Sequence, residues 1–95
     1  MIDYRLAEPP EFLYRAIEVE QVDEIFINGF NANNTPRIEL FETEHSARYA
    51  IPRKAHPYII TVLAEHMSQD GYSFFRTATG WYTDIVPAKY IRLHG

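Results

Sequence analysis

Two short apolar runs stand out along the chain, at residues 12–17 and 58–63, and they read Phe-Leu-Tyr-Arg-Ala-Ile and Tyr-Ile-Ile-Thr-Val-Leu. Runs of this kind, rich in β-branched and aromatic residues and bounded by prolines and polar residues, predict β-strands. The second run carries no charge, so we predict a central strand that is covered on both faces. The first run contains one charged residue, Arg15, where a plain core strand would carry none.

Residues 70–93 form an aromatic closing stretch, with turn signals at Asp70-Gly71 and Thr79-Gly80. Its large rings are Tyr72, Phe74, Phe75, Trp81, Tyr82 and Tyr90. Rings that alternate with Thr and Val between such turn signals predict the order strand, turn, strand, turn, strand. The pattern leaves open whether this stretch is only core or also forms the wall of a ligand cleft.

A helix is predicted at residues 19–27, because Val22, Ile25 and Phe26 fall on one face at helical spacing. Gly29 is then expected to end this helix in the left-handed conformation. Residues 31–36 are rich in Asn and end in a proline, which predicts an irregular loop.

The middle of the chain predicts a strand at residues 37–41 followed by a short helix. Thr43 is placed to cap that helix, which should run to about residue 51 and stop at Pro52. One further helical turn is predicted at residues 65–68. The 95 residues therefore predict one compact α+β domain with two short helices and about five or six strands, after an extended lead-in at residues 1–11.

Composition narrows the function. The formal net charge is −4, which argues against a general grip on DNA or other nucleic acid. The absence of cysteine excludes disulfides, thiolate nucleophiles and cysteine-based metal sites, and the four histidines lack metal-ligand spacing, so no metal is expected. With no apolar run long enough for a membrane helix and no signal peptide in view, the expected location is the cytoplasm, although signal-independent secretion would leave no trace.

Arg15 and His45 are the residues whose positions suggest a role in binding a ligand. Arg15 either pairs at a strand edge with Glu11, Glu18 or Glu39, or presents a planar fork to a phosphate or ribose in a cleft. His45 lies at the start of the predicted short helix, where free backbone N–H groups suit an anion. The carboxylates, including those of residues 42–44, have the spacing of solvated charge.

A basic cluster at residues 48–56 contains Arg48, Arg53, Lys54 and His56. Such clusters are usually solvated surface, and binding of a phosphate is the alternative. No glycine-rich phosphate loop or nucleophile motif is present in the sequence. Composition and spacing alone therefore specify no reaction.

The residues also form a familiar series. LYRA at residues 13–16, followed by a helix that ends in Asn28-Gly29-Phe30, resembles the opening of the ADP-ribosyltransferase fold, including cholera- and pertussis-type toxins. The remainder more closely resembles the carboxy-terminal lobe of the RNA 2′-phosphotransferase family, which shares that fold. The segments that carry this resemblance are ELFETEHSARYA (39–50), residues 58–63, AEHMSQDGYSFF (64–75) and, as the most specific, GWYTDIVPAKYI (80–91).

This resemblance implies a split antiparallel sheet with a cleft between its halves, and NAD as the substrate bound there. Arg15, with the adjacent Ala16, would hold a phosphate or ribose of NAD. Thr43, His45 and Tyr49 would line the nicotinamide side of the cleft. A second chain or oligomer could supply the basic residues that the family carries on a separate amino-terminal lobe.

The sequence departs from both families at the positions that do chemistry. Arg15 stands where the phosphotransferases have a histidine, and residues 39–41 replace their His-Leu-Ser. The toxins place a catalytic glutamate near the start of the strand that here holds Trp81, and no acid occurs there. Asp84 is the nearest carboxylate in sequence, so the catalytic candidates are Arg15, His45 and Asp84.

Two functions follow from the resemblance and the departures. The first is transfer of ADP-ribose from NAD to a phosphate, nucleic acid or protein acceptor. The second is a degenerate relative that binds a nucleotide, an RNA end or a protein partner without turnover.

Overall fold

In the computed structural model of the chain, the residues that can be described are 5–31, 35, 38–51 and 57–93. Within these ranges seven β-strands are interspersed with short helices. The strands are β1 (Arg5–Leu6), β2 (Leu13–Glu18), β3 (Ile38–Leu40), β4 (Pro57–Val62), β5 (Phe75–Arg76), β6 (Trp81–Thr83) and β7 (Ile91–Leu93).

The strands form two antiparallel sheets, one with the order β1-β5-β6-β3 and one with the order β2-β4-β7. Backbone hydrogen bonds of 2.8 and 2.9 Å between Tyr14 of β2 and Phe41, just after β3, join the two sheets. The predicted α+β class with two antiparallel halves is thus confirmed. β4 is the central strand of its sheet, as its uncharged apolar run predicts, and Ile59 and Ile60 are buried on opposite faces.

Three short α-helices occur in the described ranges, namely α1 (Val22–Asn28), α2 (Glu44–Tyr49) and α3 (Ala64–Gln69). 3₁₀ turns at Val19–Gln21 and Ala88–Tyr90 precede α1 and β7. None of the helices among the described residues is long and apolar enough to cross a membrane. The prediction of a helix from residue 19 is confirmed from Val22 onward, because its first turn is 3₁₀.

The start of α2 follows the sequence prediction closely. The Thr43 side chain accepts a hydrogen bond of 3.1 Å from the backbone N–H of Ser46, which satisfies one of the free donors at the helix start. The helix ends at Tyr49, with Ala50 as its last cap, about one turn before Pro52. Pro52 itself, and the basic cluster members from Arg53 to His56, lie outside the described residues.

Gly29 ends α1 with φ 70° and ψ −168°. The prediction of a left-handed residue is therefore right in φ and wrong in ψ. The observed combination of φ and ψ is open essentially to glycine alone. The cause lies in a distant segment: Phe30 and Val86 exchange two backbone hydrogen bonds of 2.9 Å, and they bring Gly29 against that backbone. A Cβ on Gly29 would lie 2.2 Å from the carbonyl oxygen of Val86.

The aromatic closing stretch has the predicted order of strands but divides between the two sheets. β5 and β6 pair in the four-stranded sheet, while β7 crosses to pair with β4. Phe74, Trp81 and Tyr90 are buried in the main core between the sheets, and Tyr82 is half-buried. The lead-in also contributes, because β1 pairs with β5 at the edge of the larger sheet. This arrangement leaves the ends of β3 and β6 side by side, next to α2.

Candidate functional site

An open cleft of about 220 Å³ lies between the start of α2 and the turn from β5 to β6. Its lining is mostly polar and consists of Phe41, Glu42, Thr43, Ser46, Arg76, Thr77, Ala78, Thr79 and Gly80. One wall thus follows β3 in the chain, and the other follows β5. The cleft forms where the two sheets meet, because Phe41 is the residue that pairs with Tyr14 of β2.

Close packing of Gly80 holds the two walls of the cleft together. β3 and β6 pair through Leu40 and Trp81, and a Cβ on Gly80 would lie 2.6 Å from the carbonyl oxygen of Leu40. The turn itself is fastened by Thr77, whose hydroxyl oxygen accepts hydrogen bonds from Gly80 N at 3.0 Å and Thr79 N at 3.3 Å. Side-chain to backbone bonds of this kind stabilise a turn locally.

Glu42 is the charged residue at the centre of this arrangement. Its Oε2 accepts a hydrogen bond of 2.8 Å from the indole Nε1 of Trp81 and another of 2.8 Å from NH1 of Arg76. The Trp81 bond first, and the Arg76 bond second, lower the pKa of Glu42 below its usual value. Both bonds favour the ionised form of this exposed carboxylate.

Arg76 and Trp81 support that carboxylate from the β5–β6 side. The Arg76 guanidinium carbon lies 5.4 Å from the centre of the Trp81 ring, within cation–π range. Trp81 is 3% exposed, and its indole N–H needs an acceptor there, which Glu42 provides. Arg76 is half-exposed, so this ion pair stands at the water-facing rim of the cleft.

Arg15 lies on β2 and reaches across the junction between the sheets. Its NH1 donates a hydrogen bond of 2.9 Å to the backbone carbonyl of Glu39 on β3, and its guanidinium carbon lies 5.3 Å from the centre of the Phe30 ring. Burial lowers the pKa of Arg15 from its usual value, and the Glu39 charge partly opposes this. Its buried Nε has no hydrogen-bond partner in the part of the chain that the structure describes.

His45 and Tyr49 form an exposed aromatic pair on the outer face of α2. Their ring centres are 4.7 Å apart, with an edge-to-face angle of 68°. Tyr49 is 64% exposed, which is unusual for a large ring. Thr43 lies at the start of the same helix, and its hydroxyl donates a hydrogen bond of 3.1 Å to the side-chain oxygen of Ser46.

The structure brings only part of the predicted site together. Thr43 lines the cleft, and His45 follows two residues later on the same helix. Ala16 is buried and packs with Ala47 beneath α2. Asp84 is exposed, accepts a hydrogen bond from the Tyr82 hydroxyl and is absent from the cleft lining.

Two residues of the site, Glu42 and Arg76, were not predicted from sequence. Glu42 is exposed, as the prediction of solvated charge at residues 42–44 requires, but it is also paired with Arg76. The available signal was Trp81, a tryptophan in a core strand that needs a hydrogen-bond acceptor. Among the described residues there is also no group of three or more His, Asp or Glu side chains that could hold a metal.

Comparison with known proteins adds a sequence relationship. No family model matches the chain. A protein named "Probable RNA 2'-phosphotransferase" from Pectobacterium atrosepticum is 28% identical over 92 residues, which are 96% of this chain and 51% of that protein. Proteins of the same name from Burkholderia lata and Escherichia coli are each 31% identical, and the matches cover 94% and 95% of this chain.

The chain spans about half the length of these curated relatives, since the matches cover 46% of the Burkholderia protein and 50% of the Escherichia protein. The similarity extends over nearly all of the present sequence, including β2, α2 and the β5–β6 turn. The chain is therefore a relative, at about 30% identity, of roughly one half of proteins named RNA 2′-phosphotransferases.

Proposed function

We propose that this chain is an NAD-binding lobe of the RNA 2′-phosphotransferase type, with the ADP-ribosyltransferase arrangement of its two sheets. The observation that carries the proposal is the match of 94–96% of the chain to proteins of that name. The polar cleft at the junction of the sheets supports it, because that is where a split sheet opens to a ligand. NAD enters this proposal as a substrate.

The residues on both sides of the junction suit the parts of NAD. Arg15 carries a charged planar fork, and such forks recognise phosphates and ribose hydroxyls. We assign it, with the adjacent Ala16 backbone, to a phosphate or ribose of NAD. Thr43 and the exposed His45–Tyr49 pair form the nicotinamide side, where the rings offer an aromatic surface.

The proposed reaction is transfer of ADP-ribose. An oxygen of the acceptor attacks C1 of the nicotinamide-bearing ribose, the bond from that carbon to nicotinamide breaks, and nicotinamide leaves with the bonding electrons. The acceptor is an RNA phosphate or a protein group, and RNA is favoured by the names of the relatives. Arg15 and His45 are the catalytic candidates in this proposal. Basic residues that bind the RNA would come from a second chain or oligomer.

A second candidate is a ligand-binding relative without turnover. It is favoured by the position of Asp84, whose carboxylate accepts a hydrogen bond from Tyr82 and does not line the cleft. Arg15 likewise uses one of its donors on the Glu39 carbonyl. In this case the chain binds NAD or an RNA end but releases no nicotinamide.

Two assays separate these candidates. Calorimetric titration with NAD tests binding, and NAD labelled in its adenylate part, incubated with 2′-phosphorylated RNA, tests transfer. Labelled RNA that forms with the wild-type chain and is lost in Arg15→Ala supports the transferase. Binding without labelled product supports the second candidate, and no binding at millimolar NAD contradicts the first.

A further inference from the structure

The two oxygens of the Glu42 carboxylate differ in their surroundings. Oε2 accepts from both Trp81 Nε1 and Arg76 NH1, whereas Oε1 accepts a hydrogen bond from none of the described residues. An ionised carboxylate has about four lone-pair sites for donors. Glu42 therefore holds its position through one oxygen and offers the other to a ligand.

The surroundings of that oxygen decide which ligand groups it can take. Thr43, Ser46 and Thr77 contribute side-chain hydroxyls to the same cleft. A fixed negative charge repels a phosphate placed directly on it, but it accepts hydrogen bonds from hydroxyl groups, as acidic residues do with ribose in dinucleotide-binding folds. Arg76, half-exposed beside Glu42, keeps further N–H groups for an anion next to that sugar.

The size of the cleft limits how much of a ligand it can hold. Pockets that enclose a whole drug-sized ligand have volumes of about 300–1,000 Å³. The cleft has about 220 Å³ and is open at one side. It therefore suits one sugar of a larger ligand, with the rest of the molecule extending along the protein surface.

We infer that Glu42 binds the vicinal hydroxyls of a ribose through Oε1, with Arg76 against the phosphate attached to that ribose, so that the cleft is a ribonucleotide subsite. This inference rests on the proposed function, which names NAD as the ribonucleotide. Glu42 lies 27 residues beyond Arg15 in the chain, and no part of the sequence resemblance assigns it a role. Glu42 thereby places a ribose-binding carboxylate next to Trp81 in space, although residues 77–81 of the sequence contain no acid.

The test is a comparison of ligands and variants by calorimetry. The probes are NAD and two analogues that lack the 2′-hydroxyl, one at each ribose. The variants are Glu42→Gln and, as a matched control, Glu65→Gln on the exposed face of α3. Loss of a charge-assisted hydrogen bond should weaken NAD binding to Glu42→Gln about tenfold or more, with Glu65→Gln unchanged.

The analogues test for direct contact, because a merely structural role of Glu42 would not change the difference in affinity between NAD and an analogue that lacks a 2′-hydroxyl. One of them should bind the wild-type chain about tenfold or more weakly than NAD, and this difference should disappear in Glu42→Gln. Equal binding of NAD and both analogues by the wild-type chain overturns the inference, even if Glu42→Gln does not fold. Equal NAD affinities of wild type and folded Glu42→Gln also overturn it and leave the proposed function standing. No NAD binding by the wild-type chain overturns the proposed function and the ribonucleotide subsite named from it.

Discussion

Arg15 NH1 on β2 donates a 2.9 Å hydrogen bond to the backbone carbonyl of Glu39 on β3, so one side chain links the two sheets. We predict that Arg15→Lys lowers the free energy of unfolding by about 1–3 kcal/mol, because an ammonium group cannot reproduce the position of the planar fork. It should also weaken NAD binding by the folded protein. Urea unfolding and calorimetry measure the two effects separately.

Arg48→Lys is the matched control for this change. Arg48 is exposed in the last turn of α2, and the substitution should alter neither unfolding nor NAD binding. If Arg15→Lys lowers stability while the affinity for NAD stays at the wild-type value, Arg15 only links the sheets. Its assigned role at the ligand would then be wrong.

Glu42 should make stability fall in acid. Its hydrogen bonds to Trp81 and Arg76 lower its pKa in the folded state relative to the unfolded value near 4.5. Its contribution is therefore fully present above that value and is lost as the pH falls through the lowered folded pKa. Urea unfolding between about pH 7 and pH 3 should show a smaller acid loss for Glu42→Gln than for wild type.

The control for the acid prediction is again Glu65→Gln, which removes one carboxylate outside the cleft. It leaves the Trp81 and Arg76 bonds of Glu42 in place, so the acid loss that depends on those bonds should remain. A Glu42→Gln protein whose stability falls with pH as steeply as wild type would show that the Trp81 and Arg76 bonds do not favour the ionised form.

Tyr90 should make stability fall in alkali. Its partly buried hydroxyl donates a hydrogen bond to Asp70, and this bond, with desolvation and the Asp70 charge, raises the pKa of Tyr90 from 10.0 to about 12. The folded state thus holds the proton more tightly than the unfolded state. The contribution is fully present below pH 10.0 and is lost as the pH rises towards about 12.

Tyr90→Phe tests this directly, since it removes the hydroxyl and keeps the ring. Unfolding between about pH 8 and pH 11.5 should depend less on pH in this variant than in wild type. Tyr58→Phe, at a ring that is 42% exposed, keeps the bond between Tyr90 and Asp70 and should retain the alkaline loss that depends on it. Absorbance of tyrosinate gives an independent check, because the ionisation near pH 12 that is expected of Tyr90 should be missing in Tyr90→Phe.

Gly29 and Gly71 offer a matched pair of positive-φ glycines. Gly29 has φ 70° and meets the Val86 backbone, while Gly71 has φ 102° with nothing within 4 Å of an added Cβ. Gly71→Ala should cost about 1–2 kcal/mol from backbone strain alone. Gly29→Ala adds a backbone clash and should cost more than about 3 kcal/mol or prevent folding. Comparable losses in the two variants, measured by thermal unfolding, would contradict the close approach to Val86.

The sequence was sufficient to predict features that depend on residues close together in the chain. The apolar run at residues 58–63 predicts β4, and Thr43 predicts the start of α2, because strand patterning and capping act over a few residues. Arg15 could be singled out for the same reason, as a charge within an apolar run. Glu39 was one of the three partners predicted for Arg15. It accepts the hydrogen bond through its backbone carbonyl and not through its carboxylate.

Features that depend on contacts between distant segments could not be predicted from the sequence. Glu42 and Trp81 are 39 residues apart and meet only because β3 pairs with β6. The crossing of β7 to the second sheet and the ψ of Gly29 depend in the same way on contacts with Val62 and Val86. A pattern of apolar and polar positions predicts that strands exist but not which strands pair, so it could not assemble the cleft.

The most direct test of the account is a titration of ¹⁵N-labelled protein with NAD, followed by ¹H–¹⁵N NMR. Trp81 is the one tryptophan of the chain, so its indole N–H gives a single assigned signal next to Glu42. The account predicts saturable shifts of that signal and of the amides at residues 41–46 and 76–80. Unchanged spectra at millimolar NAD, or shifts confined to surfaces away from the cleft, would contradict it.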